Sequence, residues 1–300
     1  MKSPSSLSRP AVAAGLALAL AAHPCPSRAA DPGPGTVDGY TERVPTGFVN
    51  WGEGYAEVDV VAIYSTVRYG GSHAKIRAIE DAEKKSSDAL YRLLRGMNIS
   101  GAQRLAGEQP LEAALRQTIE KERSMDIRGI VNESMNTRFR LPLYGRKGLA
   151  EAIHTVQYNG QTQPGPLAGA TASDYTSLVL DATHATVFAA LFPRILNEAG
   201  EVLYGPGDLT ADGTRGSPTA RYLVPLAEGA KPAALDKDTA KLVGQKPLVV
   251  PVEKAGGEFY ADVVVPAAAE ATLRQANVGA LLAQGRVFIL LAKSIDVSGQ

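Results

Sequence analysis

Tyr55-Ala-Glu-Val-Asp-Val-Val-Ala-Ile-Tyr64 is the stretch whose reading decides the fold. β-Branched and aromatic residues crowd into it and partly alternate with charged ones, which predicts a strand. Gly70-Gly71-Ser72 stops that strand and offers Ser72 as a helix N-cap. Ile76, Ile79, Ala82, Leu90, Leu93, Leu94 and Met97 then recur at spacings of three and four, interrupted near Ser86. Lys75, Glu80, Lys84, Asp88 and Arg92 fall on the other side, so an amphipathic helix is expected, ended by Gly96 and Asn98.

Toward the C-terminus, Leu111, Leu115, Thr118 and Ile119 predict a shorter helix with Pro110 near its start. Ile127–Asn132 and Thr137–Leu143 read as paired strands around a turn at Ser134–Asn136. In the second of them Phe139, Leu141 and Leu143 share one face, and Arg138 and Arg140 the other. Leu149–His154 is a short helix. Residues 50–157 are therefore expected to form one α+β region. Residues 158–171, rich in Gly and Pro, read as a linker.

A second, strand-rich region is expected over 172–293, with a tail at 294–300. Leu178–Leu180 reads as a short buried strand. Leu191–Leu196 and Glu201–Leu203 flank a hairpin turn at Asn197-Glu-Ala-Gly200. Gly205–Ser217 is a loop, and Pro247–Glu253 with Glu258–Val265 suggests a hairpin across Gly256-Gly257. Pro266 opens a helix through Gln275, and Arg286–Ala292 suits a central strand. The order lacks regular βαβ alternation, so the class is α+β: two compact regions, each a small, mainly antiparallel sheet with packed helices.

Toward the N-terminus, residues 31–49 carry Pro32, Gly33, Pro34, Gly35, Gly39, Pro45 and Gly47 and read as an extended leader. Residues 1–30 read as a secretory signal peptide. Lys2 and Arg9 supply the basic start, and Ala11–Ala22 is an uncharged run of twelve small or apolar residues, too short to span a bilayer. Ser27-Arg28-Ala29 places small residues where cleavage needs them. The single cysteine, Cys25, lies in this segment, so the mature chain is expected to have no disulfide, thiolate metal site or cysteine nucleophile. Pro24 before it breaks the pattern of a lipid-attachment site, and membrane contact through Cys25 is not expected.

The chain holds 31 Lys plus Arg and 31 Asp plus Glu. Loss of Lys2, Arg9 and Arg28 with the signal peptide leaves a mature charge of about −3. That balance, without a basic cluster, argues against nucleic-acid binding.

Chemistry is sparse. His23, His73, His154 and His184 stand far apart, with no His-Glu-x-x-His pattern, so no metal and no other cofactor is expected. Asp181-Ala-Thr-His184 with Ser177 is the nearest approach to a nucleophilic triad, but no Gly-x-Ser-x-Gly elbow exposes a serine. Gly205-Pro-Gly207-Asp208 with Asp212-Gly213 has the composition of a calcium loop without the EF-hand spacing. No catalytic residue is assigned. Tyr144, Arg194 and Tyr204 are the candidates for a ligand or partner surface.

Asn50-Trp51-Gly-Glu-Gly54, the alanines Ala78, Ala82 and Ala89, and Leu141-Pro-Leu-Tyr-Gly145 with Gly148-Leu149 carry a family likeness. In this order they resemble the LPP-twenty outer-membrane lipoproteins and the related N-terminal domain of flagellar assembly protein T. Leu178-Val-Leu-Asp181, Pro193-Arg-Ile-Leu196, Glu201-Val-Leu-Tyr-Gly205, Asp262-Val-Val-Val265 and Arg286-Val-Phe-Ile289 are similar to the region C-terminal to that domain in longer envelope relatives. The resemblance implies a non-enzymatic structural or assembly role at the periplasm or outer-membrane periphery, through contacts with other envelope proteins, in some members at the flagellar base. A periplasmic small-ligand-binding module is the alternative expectation, and a serine hydrolase a remote one.

Overall fold

Where the sequence suggests an unpaired leader, the chain is already folded into strands: β1 (Val37–Gly39), β2 (Thr41–Val44) and β3 (Gly47–Asn50). The strands are short because Gly and Pro punctuate them, so their side chains leave no alternating pattern to read. The computed structural model describes residues 37–158, 165–167, 173–209, 218–225, 241–293 and 295–296. The expected signal peptide, Cys25 and most of the expected linker lie outside these residues.

The sheet grows through β4 (Tyr55–Ile63), after which come α1 (Thr66–Tyr69), α2 (Gly71–Leu94), the small pair β5 (Asn98–Ser100) and β6 (Gln103–Arg104), and α3 (Gln109–Glu122). Next are β7 (Ser124–Val131), β8 (Ser134–Pro142) and α4 (Leu149–Tyr158). The later elements are β9 (Ser177–Asp181), β10 (Ile195–Leu196), β11 (Val202–Tyr204), β12 (Arg221–Pro225), β13 (Pro247–Pro251), β14 (Lys254–Gly256), β15 (Asp262–Val264), α5 (Ala267–Gln275), α6 (Gly279–Ala283), β16 (Val287–Leu290) and β17 (Ile295–Asp296). The class is α+β.

The first sheet has the order β17-β2-β3-β4-β8-β7, antiparallel except where β17 joins β2. Ala56, Val58, Val60 and Ala62 of β4 and Met135, Thr137, Phe139 and Leu141 of β8 are buried on one face. Helix α2 covers it. Its inner stripe is Ala74, Ala78, Ala82, Ser86, Leu90 and Leu94, one residue per turn, while Ile76 faces solvent. Small side chains let the helix axis approach the sheet closely. Where the apolar spacing is interrupted, the Ser86 hydroxyl donates to the Glu83 carbonyl at 2.7 Å and the helix runs on unbroken. Ser72 is not the cap. Ser65 caps α1 by accepting the Arg68 N–H, and α2 continues directly from Gly70 at a φ of 72°.

The second sheet, β1-β12-β16-β9-β13, is mixed: β1 joins β12 antiparallel, and the other three pairings are parallel. β9 and β16 are buried along almost their whole length, as a central parallel strand must be. β13 joins this sheet, so the hairpin expected between 247–253 and 258–265 is formed instead by β14 and β15. Those two build a third sheet, β11-β10-β15-β14, with the hairpin β10–β11.

Residues Pro34–Gln300 group into one compact unit, and the two regions read from the sequence share its core. β1 pairs with β12, and the Leu191 and Phe192 N–H groups donate to the carbonyls of Asn98 and Ile99 at 2.9 and 2.8 Å. Trp51 is buried edge-on against Tyr222 with ring centroids 5.7 Å apart, and the Tyr222 hydroxyl accepts the Ala190 N–H at 2.9 Å. Aromatic packing of this kind adds about 1 kcal/mol beyond the area buried.

Candidate interaction surface

β7 is the edge of the six-stranded sheet. It pairs with β8 on one side and with no strand on the other among the described residues. Seven of its eight residues are exposed; only Gly129 is partly covered. Such an edge offers unpaired backbone donors and acceptors to any strand that reaches it. Two features shape it. Asn132 and Glu133 both adopt positive φ, 48° and 59°, which closes a tight turn to β8. A bulge between Ile127 and Gly129 then puts one extra residue, Arg128, into the strand.

Side chains of ladder partners lie on the same face. Met125, Ile127 and Ile130 therefore stand beside Phe139, Thr137 and Met135 on the helix-covered side. Helix α2 packs over β4 and does not reach this edge, so the three remain 40%, 38% and 48% exposed. On the opposite face Val131 joins Val61 and Ile63 of β4, all exposed. An apolar corner thus surrounds the end of the β7–β8 hairpin.

The rest of the outer face is a charge ladder. Glu57, nearly buried, takes Arg140 at 2.7 Å and Arg138 at 3.0 Å, and Arg138 also reaches Asp59 at 3.1 Å. Arg140 lies 3.9 Å over the Tyr55 ring and Arg43 4.6 Å over Phe48. At the edge Arg128 pairs with Asp126 at 2.9 Å.

A groove of about 650 Å³ separates α2 from α3. Ser87 donates to Glu120 at 2.8 Å across it, and Arg116 stacks 3.6 Å over Tyr91. The Tyr91 hydroxyl in turn holds the Glu112 carboxyl below its usual range. Arg123 pairs with Glu120 at 3.1 Å on the groove's wall.

The three residues singled out from the sequence lie elsewhere. Tyr204 is in the core, its hydroxyl donating to the Thr219 carbonyl at 2.7 Å, and burial pushes its phenol up. Tyr144 packs its ring over Gly54, and its hydroxyl is buried without a hydrogen-bond partner among the described residues. Arg194 is bound to Asp262, whose carboxylate is fully buried and also accepts the Gly101 N–H at 3.0 Å. None of the three presents a free polar group on a shared surface.

The serine-hydrolase alternative finds no constellation. Ser177 is buried, Asp181 sits four residues along the same strand, a span of about 13 Å, and its carboxylate accepts both the N–H and the hydroxyl of Thr183. His184 is exposed beyond the strand. Asp208 caps the turn at Pro206 by accepting the N–H groups of Gly205 and Gly165; burial raises its carboxyl, and these two bonds oppose the rise. Asp212 and Gly213 lie outside the described residues. His73 is exposed, and His154 packs against Tyr158 and Phe192 at 4.9 and 5.9 Å. Among the described residues no three His, Cys, Asp or Glu side chains gather as metal ligands would.

Residues 177–293 match a family described as the second domain of Treponema pallidum Tp0624. The matched span begins with β9 and runs past β16, so it takes in the parallel centre of the second sheet and all of the third. It does not include β7. No match is found among curated proteins.

Proposed function

We propose that this chain is a non-enzymatic, exported protein of the bacterial envelope that serves assembly through protein–protein contacts, with β7 and the apolar corner beside it as the contact surface. The observation that carries the reading is the edge itself. Eight residues of strand run along the sheet margin with Met125, Ile127, Ile130 and Val131 exposed. The bulge and the Asp126–Arg128 pair are devices by which natural sheets blunt such margins, yet four apolar side chains stay exposed along this one, as they do where an edge is a binding surface.

Export to the periplasm or outer-membrane periphery draws on the signal-peptide pattern at 1–30. The assembly role draws on the LPP-twenty resemblance of residues 50–157 and on the edge. Among the described residues no helix is long and apolar enough to cross a membrane.

Mild extraction from the native envelope, then native mass measurement, tests the proposal. The chain is expected to migrate in a complex that dissociates when Ile127 and Ile130 are both changed to Lys. A chain recovered alone under every gentle condition would remove the assembly role.

A further inference from the structure

Resting on the assembly reading, we infer that the occupant of the β7 edge is a second copy of this chain, paired antiparallel through β7 about a two-fold axis at Ile127. The strand reads Met125-Asp-Ile-Arg-Gly-Ile130, and its chemistry is symmetric about Ile127. An acid precedes the centre and a base succeeds it. Apolar residues stand outside both, on the same face of the sheet as Ile127.

Turning the strand by half a revolution about Ile127 exchanges these features. In an antiparallel pair Ile127 then faces its own counterpart. Asp126 of each chain faces Arg128 of the other, giving two reciprocal ion pairs. The extra residue of the bulge brings Met125 opposite Ile130 of the second chain, again twice. Isologous contacts require this self-complementarity, in which residue i meets j while j meets i. In the single chain Asp126 and Arg128 form a side-by-side ion pair in an exposed strand, 62% and 55% accessible, a pairing that holds little in water, and Asp126 also lies across from Arg138 of β8. The three apolar side chains have no cover on their outer flank.

A one-residue slip of the pairing would oppose Ile127 with a charged residue and place Asp126 across from a neutral side chain. The charges therefore fix the register as well as the partner. A peptide of another protein would have no need for acid and base to be placed symmetrically about the centre of the strand.

Analytical ultracentrifugation of the full chain over a concentration series tests this, with circular dichroism as the folding control. The wild-type chain is expected to show a monomer–dimer equilibrium. Arg128→Asp and Asp126→Lys are each expected to be monomeric alone, because like charges then face one another. An equimolar mixture of the two is expected to form a heterodimer, and the double variant D126R/R128D to dimerise again. A wild-type chain that stays monomeric throughout, or single variants that dimerise as the wild type does, would overturn the second copy as occupant. If the monomeric wild type is still recovered in a larger complex from the envelope, only this inference falls. If it is solitary there too, the assembly role falls with it.

Discussion

Asp262 and Arg194 are joined by backbone and side chain at once. The Arg194 N–H donates to Oδ1 at 3.0 Å, and its guanidinium donates to Oδ2 through Nε and Nη2 at 2.9 and 2.5 Å. Oδ1 also accepts the Gly101 N–H at 3.0 Å, so one buried carboxylate ties the loop after β5 to β15 and to the start of β10.

Asp262→Ala removes all of these acceptors and leaves the guanidinium and the N–H groups of Gly101 and Arg194 without this partner. Removing one partner of a buried pair costs several kcal/mol, and Arg194 is partly wet, so a loss of about 3 kcal/mol is expected. Urea unfolding monitored by tryptophan fluorescence of Trp51 measures it. A loss under about 0.5 kcal/mol, the range of ordinary surface substitutions, would show that the node is not structural.

Gly54 holds a φ of 79°, and a Cβ there would stand 2.5 Å from the Tyr144 ring. Both backbone and space resist a side chain. Gly54→Ala is expected to lower stability by about 2 kcal/mol, with partial recovery in the double variant with Tyr144→Leu. Recovery marks the steric share, and what remains is the backbone share. Equal stability of Gly54→Ala and wild type would contradict the turn geometry.

Burial among Tyr158 and Phe192 lowers the His154 pKa below its ordinary 6.5. The unfolded chain therefore takes up a proton at higher pH than the folded chain does. Stability from this residue is complete above about pH 6.5 and is lost as pH falls toward the lowered value. His154→Phe keeps an aromatic ring in the cluster and is expected to flatten the stability profile between about pH 5.5 and 7. An unchanged slope in thermal unfolding across that window would assign the dependence to other groups.

The strands with one buried face are the legible part of the sequence. β4 and β8 alternate because one side meets helices and the other water, and Arg138 and Arg140 mark the wet side plainly. Helix α2 is legible as a helix, but its inner face is not. The hydrophobic signal points to Ile76 and Ile79, whereas the residues that touch the sheet over its first turns are alanines, which carry little such signal. Glycine and proline hide β1, β2 and β3. β9 and β16 can be read as buried strands, yet their parallel neighbours are distant in the chain and no local pattern names them.

The proposed contact surface is harder still. The segment around Ile127 reads as a strand, but its place at the sheet margin depends on the order of six strands. Arg194 stands out in the sequence for its charge, and its partner lies 68 residues away. Tyr144 and Tyr204 stand out as polar aromatics near glycine; packing puts both hydroxyls out of reach of solvent.

The claim on which the account turns is that β7 meets a second copy of this chain along its free edge. Ile127→Cys in a Cys25→Ser background places one thiol at the centre of that edge. In an antiparallel pair facing Cβ atoms come within about 4.5–5.5 Å, close enough for a short cross-link. Intact cells carrying this variant are treated with a thiol oxidant or a short bis-maleimide, and the chain is then tracked on denaturing gels. The account predicts a covalent species of twice the chain mass, and none from a control thiol at Val67, which is more exposed but lies off the edge. A chain that stays uncross-linked at position 127, at every concentration of reagent that labels the thiol, would contradict it.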